Sequence, residues 1–453
     1  MEAFGWISLL PTLVVLVLAL WTRRTFTALL GGVLLGCLIL AQGNFFQLFT
    51  EELSGVLGDP VIVWIILVCG LFGSLIHLLV ASGGALAFAD KVLQYVHNRS
   101  SALLVTWGLG LSIFIDDYLN ALTVGSSMKK VTDRFGVSRE MLAYIVDSTA
   151  APICVLIPLS TWAIYISGLL EEEGVAAAGQ GLATYVGIIP YIFYGWAAAL
   201  IVPLVAKGWI PPLGPMKAAE ARAASGQLIP PGSESIRLEM PEVVATDKPS
   251  SSWYFILPIL VLIAATIWFD IDALKGVMVA VVFTVLYYLL RGLMNLEAAM
   301  ESVFSGFKTM LYALGIIVMS FVLKEVNDGL GLTEFIIEGV SPWLDGRLLP
   351  VVCFLSLSVI TFATGSFWGV YAITLPIILP LAAEVGVSQP LALGAVISAG
   401  AFGSHACFYG DATVLSASAT GCNNMAHVLT QLPYTLLAAG LAAIVYLLFG
   451  ILA

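Results

Sequence analysis

Apolar runs of about 20 residues recur along the whole chain, each long enough to cross a bilayer as a helix. In lipid every backbone polar group must be satisfied within the spanning segment, so such runs fold as helices packed on helices. The composition agrees. Of 453 residues, 60% are hydrophobic and 10% charged, against roughly 25% charged in soluble domains. The expected fold is an all-α polytopic membrane protein. The first run, between Trp6 and Trp21, is too long for a signal-peptide core and closes on Arg23 and Arg24 without a small-residue cleavage site. It reads as the first span. Cys37, Cys69, Cys154, Cys353, Cys407 and Cys422 lie in or beside apolar runs without C-x-x-C spacing, as small buried thiols do. A net charge of −11 argues against nucleic acid as a partner.

The charges sort along the chain. Arg23 and Arg24, Lys91 and Arg99, Lys129 to Arg139, and Lys207 to Lys248 form basic islands. Between them lie Glu51, Glu52 and Asp59, then Glu171 to Glu173, then Asp270 and Asp272. The positive-inside rule puts the basic set in the cytoplasm and the acidic set outside, with an external N-terminus. Spans are expected at about 5–21, 25–42 and 60–82. The next apolar run, 100–128, has basic residues on both flanks, so a single crossing would strand Lys129, Lys130, Arg134 and Arg139 outside. A re-entrant hairpin that enters from the cytoplasm and returns removes the conflict. Irregular backbone at that depth is tolerated where protein buries it or a wet cavity lines it.

An interrupted helix at about 139–170 and a span at 182–206 complete the first half, 1–206. Residues 207–251, rich in Pro, Ser and charge, read as a cytoplasmic linker. The second half, 252–453, repeats the pattern with opposite orientation. Spans are expected at 252–269, 273–290 and 303–323, followed by a short polar helix at 327–345. A hairpin at 348–382, an interrupted helix at 390–421 and a last span at 430–452 then complete the half. Gly-Val-Ser follows both hairpins, at 136–138 and 386–388. Two inverted repeats are the architecture of many secondary transporters.

Four stretches carry chemistry. Asp116 and Asp117 sit at the first hairpin's tip, where a charge costs about 2.5–3.5 kcal/mol on insertion scales and marks a functional site by default. Adjacent carboxylates resist sharing charge, which suits exchange of a cation for a proton. The structural alternative is that one of them caps a half-helix. Asn120 contributes either as a ligand amide or structurally. Asp147, Ser148 and Thr149 precede Pro152 and Pro158, which break the helix locally. Freed carbonyls, hydroxyls and a carboxylate form a hard-oxygen set of the kind that coordinates sodium, and Asp116, Asp117 and Asp147 are its expected Na⁺ ligands. For the prolines the alternative is an ordinary kink, and for the hydroxyls it is interhelical packing. On the second hairpin, Thr364, Gly365 and Ser366 allow close backbone approach to a substrate, and Trp368 and Tyr371 line a pocket or simply pack. In the second interrupted helix stand Ser404, His405 and Asp411. His77, Lys324 and Glu325 read as structural or interfacial, and His97 and His427 as border residues without a role. No phosphate-binding loop, zinc spacing or nucleophile elbow occurs, so ATP-driven transport and hydrolysis lose support.

At these residues the chain resembles the NhaC-type sodium/proton antiporter family of the broader ion-transporter superfamily. The resemblance runs from Phe114 through Asp116-Asp117-Tyr118-Leu119-Asn120 to Met128, on through Val131 to Phe135, and through Ala143 to Pro152. It continues in Phe362 to Gly365, Trp368-Gly369 and Gln431-Leu432-Pro433-Tyr434. It implies inverted repeats with two hairpins, often a homodimer, and an elevator-like movement of the site. The chain departs from the family at Ser404, where an acidic residue is usual, and at Ala406-Cys407-Phe408, where Cys-Ser-Pro is usual; Asp411 remains.

The expected function is Na⁺/H⁺ antiport across the inner (plasma) membrane, with Asp116, Asp117 and Asp147 as alternating carriers and Asp411 and His405 completing the site. The alternative is Na⁺- or H⁺-coupled transport of a small organic solute such as an amino acid or carboxylate. A channel-like pore or membrane enzyme is disfavoured by the lack of a repeated filter or catalytic triad. No cofactor is expected; Na⁺ and H⁺ are transported or coupling ions. The partners are the lipid bilayer, a small cation and, in the alternative, the organic solute.

Overall fold

In a computed structural model of the chain, residues 4–22, 24–114, 116–172, 174–233, 251–332, 334–335, 346–365 and 367–452 are described. Among them there is no strand, and most of the described residues are helical. The expectation for Ser366 and most of that for a polar helix at 327–345 fall outside the described residues.

The first half runs α1 Leu10–Thr22, α2 Thr25–Ala41, α3 Phe45–Gly58, α4 Pro60–Ala81 and α5 Gly84–Leu93. It continues with α6 Arg99–Ser112, α7 Asp117–Arg134, α8 Arg139–Thr149, α9 Ala151–Cys154, α10 Thr161–Glu172, α11 Gly181–Ile188 and α12 Phe193–Ala206. After α13 Pro215–Ala224 come α14 Trp253–Trp268, α15 Ala273–Arg291, α16 Leu296–Thr309 and α17 Leu311–Gly329. The chain ends with α18 Leu349–Thr364, α19 Trp368–Glu384, α20 Gln389–Ala406, α21 Asp411–Thr420 and α22 Asn424–Leu452. By length and composition five of the described helical stretches can cross a membrane, or seven if two sharply bent pairs each count as one. Large apolar side chains such as Trp21, Leu290 and Trp268 stand exposed on the outer faces, as expected where lipid, not water, is the solvent. The chain is an all-α polytopic membrane protein.

Three elements differ from the sequence expectation. Residues 45–58, unassigned by hydropathy, form α3, which turns 117° from α2. Its Glu51 and Glu52 share a helix with Phe45, Phe46 and Leu48, a pattern that a search for continuous apolar runs passes over. The span at 182–206 is bent by 57° between α11 and α12, where Pro190 removes a backbone donor. The last helix starts at Asn424, two turns earlier than 430, because the Asn423 carboxamide oxygen accepts from the Met425 and Ala426 N–H groups (3.0 and 3.2 Å).

The stretch expected as a linker is partly folded and docked. α13 lies against α8 and α22. Arg222 reaches both oxygens of the buried Glu140 at 2.8 and 2.7 Å. Glu220 pairs with Arg99 and accepts from the Ser138 hydroxyl at 2.7 Å. Ser138 is itself the N-cap of α8, accepting from the Met141 N–H. Farther on, the Ser233 hydroxyl accepts from the Asn423 N–H at 2.9 Å. Removing one partner of a buried ion pair costs about 3–5 kcal/mol; Arg222 retains some exposure, which puts Arg222→Ala near 3 kcal/mol. We expect its thermal unfolding in detergent to fall accordingly, and the swap Glu140→Arg with Arg222→Glu to recover part of the loss.

Apolar side chains collect in two clusters. One is built on α1–α5, α7 and α14–α17, with Val414, Leu415 and Ala419 of α21. The other is built on α8–α12, α18–α20 and α22. Their seam passes between adjacent residues: within α8, Val146 belongs to the first cluster and Ile145 to the second, and at the end of α20 Cys407 belongs to the first and Ala406 to the second. Across the first cluster α4 and α16 approach through glycine. A Cβ on Gly73 would lie 2.4 Å from the Gly306 carbonyl oxygen, and the Ser74 hydroxyl donates to the Val303 carbonyl at 2.7 Å. Small residues at such crossings let membrane helices pack by backbone contact.

Candidate ion-binding site

Four breaks in helices position the polar residues. The first lies between α6 and α7. The helix stops at Ile113, and Asp116 restarts it as N-cap, its Oδ1 accepting from the Leu119 N–H at 3.0 Å. The second separates α8 from α9 at Ala150 (ψ −106°), two residues before Pro152. The third separates α18 from α19. Gly365 takes a left-handed φ of 68° there, and a Cβ would meet the Tyr409 ring at 2.7 Å. The fourth, Cys407 to Gly410, separates α20 from α21, and from Leu391 to Ala417 every residue of this stretch is buried.

Asn120 ties the first two breaks together. Its carboxamide nitrogen faces the carbonyls of Gly110 (2.7 Å), Ile113 (2.9 Å) and Thr149 (2.8 Å). Three acceptors around one nitrogen fix the amide's orientation, since its oxygen there would face only lone pairs. The Asn120 Oδ1 is buried without a partner. Gly110 allows the approach, for a Cβ there would fall 2.1 Å from the Thr149 hydroxyl oxygen.

The carboxylates fall into two hydrogen-bonded groups. In the first, Asp116 is fully engaged, with Oδ2 accepting from the Thr161 hydroxyl at 3.1 Å; the capping alternative describes this residue. Asp117 is 2% exposed, has Trp162 as a hydrogen-bonding neighbour, and keeps Oδ2 without a partner. Tyr118 donates to Asp411 Oδ2, and Asp411 Oδ1 accepts from the Ala412 N–H at 2.8 Å. In the second group Asp147, fully buried, accepts through Oδ2 from Gln431 Nε2 (2.6 Å) and lies 3.1 Å from His427 Nε2. Its Oδ1 has no partner. The Gln431 amide also donates to the His405 carbonyl. The His405 ring joins the Ser148 hydroxyl (3.0 Å) to the Tyr194 hydroxyl (2.8 Å).

Tyr118, next to Asp117 in the chain, thus reaches Asp411, and Ser148 and His405 are joined beside Asp147 through Gln431. Among the described residues no three His, Cys, Asp or Glu side chains converge as a metal-holding cluster. Thr149 bonds back to the Ile145 and Val146 carbonyls, and Thr364 to Ile360. Ser404 is buried with its hydroxyl unpartnered. Tyr371 donates to the Ile397 carbonyl at 2.9 Å, a packing arrangement. His427, expected at a border, is instead wholly buried against Asp147 because α22 begins early. Gln431, Tyr118, Thr161 and Tyr194 also were not among the expected ligands. The signal for Gln431 and His427 was their spacing of four, which places both on one face of a helix.

Comparison with known proteins gives the class first: this is a secondary transporter, not an enzyme. The chain belongs to the Na⁺/H⁺ antiporter family, whose family model matches residues 173–451. An uncharacterized protein of Haemophilus influenzae (strain ATCC 51907 / DSM 11121 / KW20 / Rd) is 30% identical over 482 residues, covering 98% of this chain and 90% of that protein. Among solved structures, the Alcanivorax borkumensis YdaH transporter superposes with a TM-score of 0.42 at 12% identity, over 91% of this chain and 89% of that one. MtrF of Neisseria gonorrhoeae, described within a class of antimetabolite efflux pumps, gives 0.35 at 14%, over 92% and 85%.

Proposed function

We propose that the chain exchanges Na⁺ for H⁺ by elevator-like alternating access, with Asp117 and Asp147 as the groups that carry cation or proton in turn. The observation that carries this reading is the pair of free carboxylate oxygens, Asp117 Oδ2 and Asp147 Oδ1, buried beside helix breaks. A buried carboxylate oxygen without a donor is costly unless a cation or proton occupies it. Asp116 holds the tip of the first hairpin, and Asp411, Tyr118 and His405 complete the surroundings. The two apolar clusters, meeting along a seam that crosses the site, supply bodies that can slide past one another. α4, the third expected span of the first half, meets α16 at Gly73 and Gly306, where the third expected span of the second half, 303–323, begins; this pairing of corresponding spans supports two inverted repeats of 1–206 and 252–453. In this reading the protein lies in the inner membrane with its N-terminus outside and works as a homodimer.

The test is proteoliposomes with an imposed pH gradient and a pH-sensitive dye. Added Na⁺ or Li⁺ is expected to dissipate the gradient. If no monovalent cation does so while an amino acid or carboxylate does, the antiport reading fails and coupled transport of an organic solute takes its place. The unpartnered Ser404 hydroxyl, at a position where the family usually has an acid, is the feature that favours that second outcome.

A further inference from the structure

From the geometry of the last helix we infer that Gln431 is a direct, specificity-determining ligand of the transported cation, binding it through its carbonyl oxygen beside Asp147. The inference rests on the antiport reading and names a ligand that the four expected stretches do not contain.

The Gln431 carboxamide has only one orientation open to it. Gln431 Nε2 meets two groups that can only accept, Asp147 Oδ2 at 2.6 Å and the His405 backbone carbonyl at 2.5 Å. Both amide hydrogens are thereby used, and the flipped orientation would set oxygen against oxygen. The Oε1 atom is therefore committed to the other side. It is buried, the residue being 1% exposed, and it has no partner. Asp147 is in the matching condition, with Oδ2 engaged by Gln431 and His427 and Oδ1 free. Two acceptor-only oxygens are thus left open on side chains joined head to head by one hydrogen bond. Water or a protein donor satisfies one such atom; in the proposed site a hard cation bound beside both side chains satisfies the two, because such an ion draws several oxygens to one centre.

The same N–H···O bond gives the amide a second task, holding the carboxylate so that its free edge stays available. Position 431 lies one turn beyond His427 on α22, and each touches the same Asp147 oxygen. His427 offers no oxygen, which makes it the internal control. The ligand role and the positioning role predict opposite orders for two replacements. Gln431→Met removes the oxygen and both N–H groups at similar volume. Gln431→Glu keeps ligand oxygens but loses the donors and sets a carboxylate against Asp147.

The experiment measures half-saturating Na⁺ twice for each variant, by ²²Na⁺ uptake in proteoliposomes at alkaline pH and by Na⁺-dependent thermal stabilisation in detergent. For a ligand, Gln431→Met raises half-saturation by about tenfold or more, since changing even an outer-shell partner of a metal ligand costs about 10–100-fold. Gln431→Glu stays near wild type and changes the Na⁺-to-Li⁺ preference, because the field strength of one ligand has changed. If Gln431→Glu is damaged as much as Gln431→Met, Gln431 only positions Asp147 and the ligand assignment is overturned. If Gln431→Met keeps the wild-type half-saturation in both assays, it is overturned outright. A variant that fails to insert or fold is replaced by Gln431→Asn, which keeps both groups on a shorter arm and is expected to fall between wild type and Met. A wild-type protein that responds to Na⁺ in neither assay fails the antiport reading itself, a result distinct from any difference among variants.

Discussion

Asp147→Asn is expected to abolish Na⁺-driven proton movement, by about two orders of magnitude or more, with the folded protein still recovered in detergent. The size follows from the surroundings. Asp147 is fully buried, and its Oδ2 is held by Gln431 and His427 while Oδ1 stands free. Losing one partner of a buried charge interaction costs about 3–5 kcal/mol, and each 1.36 kcal/mol is tenfold in rate or affinity. Asparagine has the same shape and still accepts one hydrogen bond, so the fold loses little while the charge that meets the cation is gone. Dye quenching in proteoliposomes reads the loss, and gel filtration in detergent checks the fold. Transport at the wild-type level would remove Asp147 from the site.

The largest structural effect is expected at Asn120. Its nitrogen serves carbonyls from Gly110 and Ile113 at the first break and Thr149 at the second. Asn120→Ala leaves those buried acceptors without a donor, at roughly 1–3 kcal/mol each. Since two hydrogens serve the three, a loss of about 2–6 kcal/mol is expected. Asn120→Asp goes further, because a carboxylate replaces the donor and faces three carbonyl oxygens. Thermal unfolding in detergent should rank wild type above Ala and Ala above Asp. An unchanged melting temperature for Asn120→Ala would show that the two breaks are not held by this amide.

Much of the candidate site was readable because the membrane makes charge conspicuous. Asp116, Asp117, Asp147 and Asp411 stand out from apolar runs by residue type alone, and proline and glycine marked the breaks beside them. The division of labour between the adjacent aspartates was not readable. Both have the same neighbours in sequence, and only the restart of α7 makes Asp116 the cap and leaves Asp117 with a free oxygen. His427 and Gln431 escaped for a different reason. Hydropathy dates a span from its first apolar residues, so 424–431 looked like a border. In the folded chain this polar turn is covered by protein: Asn424 donates to Thr25 and to the Phe408 carbonyl, and His427 meets Asp147. Burial by protein and burial by lipid leave different residue patterns, and a hydropathy window responds to the second alone. The linker hid its structure similarly, since Glu220 and Arg222 sit in an alanine-rich polar segment whose partners, Arg99 and Glu140, are about a hundred residues away in sequence.

The docked linker also imposes an order on assembly. Glu140 is buried at the start of α8, and its counter-charge, Arg222, is 82 residues later in the chain. At synthesis rates of about 5–20 residues per second, that carboxylate waits some 4–16 seconds for its partner. The Leu213 N–H finds its acceptor, the Tyr434 hydroxyl, only after a further 221 residues. Until α13 is made, Glu140 has no Arg222 beside it, so the ion pair that docks the linker on α8 forms only after residue 222. A chain stopped before residue 222 would carry the aspartates of the first hairpin and α8 on a helix whose entrance has no lock.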